Sequence, residues 1–186
     1  MSPDEILLEA EEKMLKTEQV VANEFAGVRT GKASAALVEN IPVEVYGSMM
    51  RLREIASITT PEPRQLLIQP WDAASAQAIE KAIQKSNLGL SAATQGKVIR
   101  LSFPELSTER RLEFVKITKK MAEDGRVAVR HVRREAMEEL KKSVKASETS
   151  EEEQEKAEKE VQKLTDQYVA KIEAHLAHKE KEILTV

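Results

Sequence analysis

The densest chemistry in the chain is the run Arg126, Val127, Ala128, Val129, Arg130, His131, Val132, Arg133 and Arg134. A guanidinium stays charged at any physiological pH and presents a planar fork that matches phosphate oxygens, so a line of them suits a polyanion backbone. On an α-helix, at 100° per residue, Arg126, Arg130, Arg133 and Arg134 fall with Lys119 into about one quadrant, roughly 100° from the apolar positions of the same segment. Such a ridge can follow RNA phosphates without reading bases. It can equally be a solvated face paired with an acidic neighbouring helix, and residue chemistry alone leaves both readings open.

The other constellations are weaker. Gly27, Val28, Arg29, Thr30, Gly31, Lys32 and Ala33 look superficially like a phosphate-binding loop, but three residues rather than four separate the glycines. Ala33 also stands where a Ser or Thr would hold magnesium, and a helix precedes the segment rather than a strand. His175 and His178 have a spacing that could present two imidazoles on one helix face, yet no third ligand is evident and both read as solvated surface groups. The chain has no cysteine, so thiolate ligands, thiol nucleophiles and disulfides are excluded. No carboxylate pair and no Gly, Ser and His arrangement suggests catalysis. The expectation is a protein with no catalytic residue, no metal and no cofactor.

The elements that must carry the ridge follow from periodicity. Leu7, Ala10, Met14, Thr17, Val21, Phe25 and Val28 recur at steps of three and four, one face of a first helix opened by Ser2 and Pro3 and ended by Gly31. A second helix begins at Ser107 or Thr108, after Pro104, with Glu109 in its first turn. Its buried stripe is Val115, Thr118, Ala122, Gly125, Val129, Val132, Ala136 and Leu140, whose small central residues permit close packing. A third helix starts at Ser150, with Glu153 completing a capping box, and buries Ala157, Val161, Leu164, Tyr168, Ile172, Leu176 and Ile183.

Between the first two helices the period shortens. Ile41 to Tyr46, Leu52 to Thr59, Leu66 to Gln69 and Val98 to Phe103 read as strands, with one short helix capped by Asp72, burying Ala76, Ile79 and Ile83, and stopping near Asn87 to Gly89. A lone amphipathic helix cannot bury its stripe, so the first helix must pack against the other two across the insert. The expected fold is therefore α+β: a long three-helix bundle, discontinuous in sequence, over residues 1–30 and 105–186, hinged to a small inserted α/β domain over 31–104. Two chain crossings, at Thr30, Gly31 and Lys32 and at Phe103, Pro104 and Glu105, form the expected hinge, and rotation of one domain against the other follows from it.

The formal net charge is −3, which argues against a generally basic nucleic-acid binder, but the charge is segregated. Residues 97 to 134 carry 11 basic and 5 acidic groups, whereas residues 135 to 186 carry 9 and 14. The positive charge thus sits on the second helix. The first residues lack the pattern of a secretory or transit peptide, and no apolar run reaches the roughly 20 residues of a membrane helix, so a cytoplasmic location with no membrane contact is expected.

The same order of elements carries a set of short motifs: Arg29 to Ser34, then Val45, Tyr46 and Gly47, then Leu52 and Ala56 to Thr59. Thr108, Glu109, Arg110 and Arg111 follow, then the arginine run, then Val161 to Asp166. Jointly they resemble the ribosome recycling factor family over nearly the whole chain. His131 stands where Asn or a similar polar residue is usual, and Lys32 where Arg is commoner. The resemblance implies a monomer whose bundle lies across the A and P sites of the large ribosomal half, on its rRNA. It also implies elongation factor G as the partner that hydrolyses GTP while the two split the ribosome. Carried over by position, it implies rRNA contacts at Arg29, Arg110, Arg126, Arg130, Arg133 and Arg134. If about four arginines each neutralise a phosphate, affinity should fall with salt at a log-log slope of roughly −3 to −4. The competing expectation is a helical scaffold or holdase that binds other proteins through an apolar groove and ignores rRNA.

Overall fold

The computed structural model describes residues 1–86, 88 and 90–185, and contacts divide the chain into two units. The larger holds Met1–Phe25 with Val115–Glu182; the smaller holds Ala26–Phe114 with the residues from Ile183 on. These limits lie inside the boundaries expected after residues 30 and 104. The physical reason is side-chain anchoring: Arg29 donates to the Pro104 carbonyl and Arg111 to the Ile183 carbonyl, which draws those segments into the smaller unit.

The larger unit is built on three helices: α1 (Pro3–Ala26), α4 (Thr108–Lys145) and α5 (Glu151–Leu184). Ile6, Ala10, Met14, Val21 and Phe25 of α1 meet Ala122, Val129, Val132, Ala136 and Leu140 of α4 and Ala157, Val161, Tyr168 and Ile172 of α5 in one core. All eight positions of the expected α4 stripe are buried. On α1, Ile6 takes the buried place expected of Leu7, which is half-buried beside it. The starts are capped as their residues dictate. Glu5 N–H donates to Ser2 Oγ at 3.2 Å and Ser2 N–H to Glu5 Oε2 at 2.9 Å, a box the Ser2 and Pro3 signal only half announces. The Ser150 and Glu153 box forms as expected, at 3.0 and 3.2 Å. Glu153 Oε2 accepts from Ser150 N–H and also from Ser150 Oγ, at 3.1 Å, and these two hydrogen bonds hold its carboxyl below the usual carboxylate range.

The turn from α4 to α5 has no signal in the residue pattern. Ser147 adopts φ +59°, Glu148 N–H donates to Ser143 O, and Ser147 N–H to Val144 O, each at 3.0 Å. This paired pattern ends α4 without the glycine that usually supplies the left-handed residue.

Gly125 of α4 is packed against side chains of both α1 and α5. A Cβ there would lie 2.5 Å from Val21 Cγ2 and 3.3 Å from Ile172 Cδ1, both on buried side chains. Valine in a helix has essentially one χ1 rotamer, so the nearer wall cannot turn aside. Gly125→Ala is expected to lose about 1 kcal/mol, because overpacking of roughly 1–3 kcal/mol exceeds the gain of about 1 kcal/mol in helix propensity. A rise in the urea midpoint of that variant would show that the contact yields.

The smaller unit contains β1 (Pro42–Val45), β2 (Ser48–Arg51), α2 (Leu52–Ile55), β3 (Ala56–Glu62), β4 (Gln65–Pro70), α3 (Ala76–Lys85), β5 (Ser91–Gln95) and β6 (Val98–Ser102). β1 and β2 form a hairpin, and β3, β4, β6 and β5 form an antiparallel sheet in that order. Leu66, Ile68, Ile99 and Leu101 point inward with Ile79 and Ile83 of α3, and Asp72 accepts from Ala74 N–H as the expected cap. The expected stop of α3 falls on Asn87 and Gly89, which lie outside the described residues. Two strands escape the pattern, β2 and β5, because most of their residues are exposed and they show no alternation to read. Leu52–Ile55 is one helical turn, not the start of a strand: Leu52 and Ile55 are both buried, and Arg51 N–H donates to Glu54 Oε2 at 3.0 Å.

Candidate nucleic-acid interface

The start of α4 sets the ridge. Arg110 N–H donates to Ser107 Oγ at 3.2 Å, so Ser107 caps the helix. From there the buried stripe fixes the rotation of α4 against α1 and α5, and the basic residues are left on a flank about 100° away from it. Lys119, Arg130 and Arg134 are exposed and Arg133 is half-buried. Arg133 Nη1 reaches Gln162 Oε1 of α5 at 3.4 Å, a long contact with a neutral group, and Arg130 Nη1 sits 3.6 Å from Glu123 Oε1. Neither contact neutralises the guanidinium at close range.

Arg126 differs. Its side chain is 17% exposed and is bound by two carboxylates, Glu123 at 2.7 Å and Glu173 of α5 at 2.5 Å. The hydrogen bond from Arg126, then its charge, holds the Glu123 carboxyl below the usual range. The part of Glu123 in stability is therefore present above the ordinary carboxylate pKa and lost as pH falls through the lowered one. At Arg126 the open alternative of a basic residue paired with the acidic third helix is realised. A phosphate there would have to displace two carboxylates.

Arg29 and Arg110 form a second cationic place, in the smaller unit. Arg29 Nη2 donates to Pro104 O at 3.2 Å and its guanidinium lies 5.8 Å from the centre of the Phe103 ring. Burial lowers the Arg29 pKa first, and the nearby charge of Arg110 lowers it further. Its Nε is buried without a hydrogen-bond partner. Arg110 lies 5.7 Å over Phe114 and donates to Glu113 Oε2 at 2.9 Å. Two guanidiniums held close, with one carboxylate bound to the second, make a place that favours an anion.

The residues expected at the hinge all fall within the smaller unit. Gly31 is buried with φ +87°, a backbone conformation that favours glycine, whereas Thr30 is half-buried and Lys32 exposed. Phe103 is buried, while Pro104 and Glu105 are exposed. One turn holds both crossings: Ala33 N–H donates to Pro63 O at 2.7 Å and Phe103 N–H to Arg64 O at 2.8 Å. The Ala33 amide is thereby committed, which removes a donor the loop resembling a nucleotide site would need.

Arg111 has no place in the sequence reading beyond the opening motif of the second helix. It is 8% exposed and donates from Nε to Leu106 O at 3.2 Å and from Nη1 to Ile183 O at 2.7 Å and Thr185 O at 3.2 Å. It satisfies carbonyls at the end of α5 that the helix itself leaves without donors. Periodicity offers a signal for it, since Arg111 precedes buried Val115 by one helical turn on the core side.

The histidine reading changes at one position. His178 is exposed beside Glu182 at 2.8 Å, but His175 is half-buried with Nε2 2.8 Å from Glu18 Oε1 of α1, because the closely packed α1 brings that carboxylate across to it. Among the described residues no group of three or more potential metal ligands lies together. Among them, too, no helix is long and apolar enough to cross a membrane.

Against known proteins, the family model described as ribosome recycling factor matches residues 21–184. The chain is 52% identical over 180 residues to a ribosome-recycling factor of Bradyrhizobium sp. (strain ORS 278), covering 97% of this chain and 96% of that one. It is 48% identical to that of Oleidesulfovibrio alaskensis, with 98% and 100% covered. A solution structure of the ribosome recycling factor matches with TM-score 0.83 at 44% identity, covering 100% and 99% of the two chains. A second structure, described as models for the T. thermophilus ribosome recycling factor and the E. coli elongation factor G bound to the E. coli post-termination complex, matches with TM-score 0.71 at 42% identity, covering both chains fully. With relatives of this identity spanning almost its entire length, the chain belongs to the ribosome recycling factor family.

Proposed function

We propose that this chain recycles ribosomes by laying its three-helix unit on large-subunit rRNA across the A and P sites and, with elongation factor G and GTP, splitting the post-termination complex. One observation carries the mechanism: a cationic ridge on α4 whose rotation is fixed by a buried stripe on the same helix. The likeness to a recycling factor placed with elongation factor G on a post-termination complex supports the partner set. Arg130, Arg133 and Arg134 anchor the phosphates, with Arg29 and Arg110 as a second contact. Arg126 stands behind the anchor because its charge is already met by Glu123 and Glu173.

The insert of residues 31–104 faces the translocase and swings about Thr30 to Lys32 and Phe103 to Glu105 as the partner pushes. The chain itself makes and breaks no covalent bond, works as a monomer in the cytoplasm, and draws its motive free energy from the GTP its partner hydrolyses. Light scattering of post-termination ribosomes tests this directly. Splitting is expected only when this chain, elongation factor G and GTP are all present. Equal splitting without the chain, or association with partner helices in place of ribosomes, would sink the reading.

A further inference from the structure

Helix α4 carries more free positive charge than the arginine run. Projected at 100° per residue, Lys116, Lys119, Lys120, Arg130, Arg134, Lys141 and Lys145 fall within an arc of about 100°, and all seven are exposed. Between Lys116 and Lys145 only Glu123 and Glu138 share that arc, and Glu123 is engaged by Arg126. Lys116, Lys119, Lys120, Arg134, Lys141 and Lys145 make no ion pair among the described residues, in contrast to Lys142, which is bound to Glu139 at 2.8 Å on another side of the helix. The other two helices meet α4 outside the strip: α5 along the edge of Arg126 and Arg133, and α1 through Lys13, 3.4 Å from Glu135.

We propose that the RNA-facing surface is the whole solvent side of α4 from Lys116 to Lys145, in which Lys116, Lys120, Lys141 and Lys145 extend the phosphate contacts beyond the arginine ridge at both ends. The inference rests on the RNA reading above and gives that surface its extent. At 1.5 Å per residue the strip is about 44 Å long, far more than a single small anion can span and suited to successive phosphates of an RNA backbone. Its ends are lysines, whose compact ammonium groups act as point charges on phosphates without the fixed fork of arginine. A protein partner fits it poorly. Between Lys116 and Lys145, Val127, 47% exposed, is the one large exposed hydrophobic within the arc among the described residues, and stable protein interfaces centre on buried apolar or aromatic anchors.

The test is binding of the full chain to purified vacant ribosomes over a series of potassium chloride concentrations. Each phosphate contact adds about 0.9 to the log-log slope, so the four lysines raise it from roughly −3 to −4 for the arginines alone to roughly −7 to −8. Two double variants, Lys116→Gln with Lys120→Gln and Lys141→Gln with Lys145→Gln, are each expected to reduce the slope by about 1.8 with an unchanged helical spectrum. A control pair off the strip, Lys156→Gln with Lys159→Gln on α5, is expected to leave it unchanged. Slopes unaltered by both strip variants, while Arg133→Gln still flattens the slope, overturn the extended surface and leave the recycling reading standing. An equal drop in the control pair also overturns it, since net charge alone would then explain the effect. If Arg133→Gln changes nothing either, the anchor itself fails and the extension falls with it.

Discussion

Arg133→Glu is expected to weaken ribosome binding by at least about 100-fold while leaving the circular-dichroism spectrum and the thermal midpoint nearly as in the parent. The two halves of that outcome follow from different observations. Arg133 holds no carboxylate; its contact is the 3.4 Å approach to Gln162 Oε1, so its removal costs the fold little. On the RNA side the substitution deletes one cation and places an anion beside Arg130, where it repels the phosphates held by the ridge. Removing a phosphate contact is expected to weaken binding to any RNA sequence about equally and to flatten the salt dependence by roughly one unit, and the reversed charge deepens the loss. Filter binding or pelleting across salt concentrations reads both. Unaltered affinity in this variant would remove Arg133 from the interface.

The second large effect is on stability. Arg111→Met is expected to lose roughly 2–4 kcal/mol, because it removes a buried cation that donates to three carbonyls and leaves those acceptors without a partner in a closed place. The three acceptors belong to Leu106, Ile183 and Thr185, so the same side chain joins the approach to α4 to the end of α5. Arg111→Lys is expected to recover little: an ammonium has no planar fork to reach separate carbonyls from Nε and Nη1 at once. Urea unfolding of the three proteins decides the matter. A loss under about 0.5 kcal/mol in Arg111→Met would mean that water replaces the guanidinium and that the carbonyls were never dependent on it.

These two arginines lie on one helix and have opposite fates, which shows where residue patterns stop being informative. The long apolar stripes of α1, α4 and α5 are legible because a helix repeats its buried face every three or four residues, and only one rotation then satisfies many positions together. The caps at Ser2 and Ser150 are legible because their chemistry is local. β2 and β5 are not: SMMR and SAATQ lie mostly on the surface, and their pairing is decided by backbone hydrogen bonds to β1 and β6. The one-turn helix at Leu52–Ile55 is likewise hidden, since four residues cannot display a period.

By itself the sequence determined that a basic helix exists, that its arginines share one side, and that a core stripe holds that side outward. Only the tertiary structure decided which of those charges remain available. Arg126 is taken by Glu173, a residue 47 positions away, and Arg111 by carbonyls 72 and 74 positions away. Helical periodicity is a property of neighbours along the chain, whereas neutralising a charge requires a partner within a few ångströms in space. That proximity is created by the packing of α5 against α4 in one case and by the end of α5 meeting the start of α4 in the other.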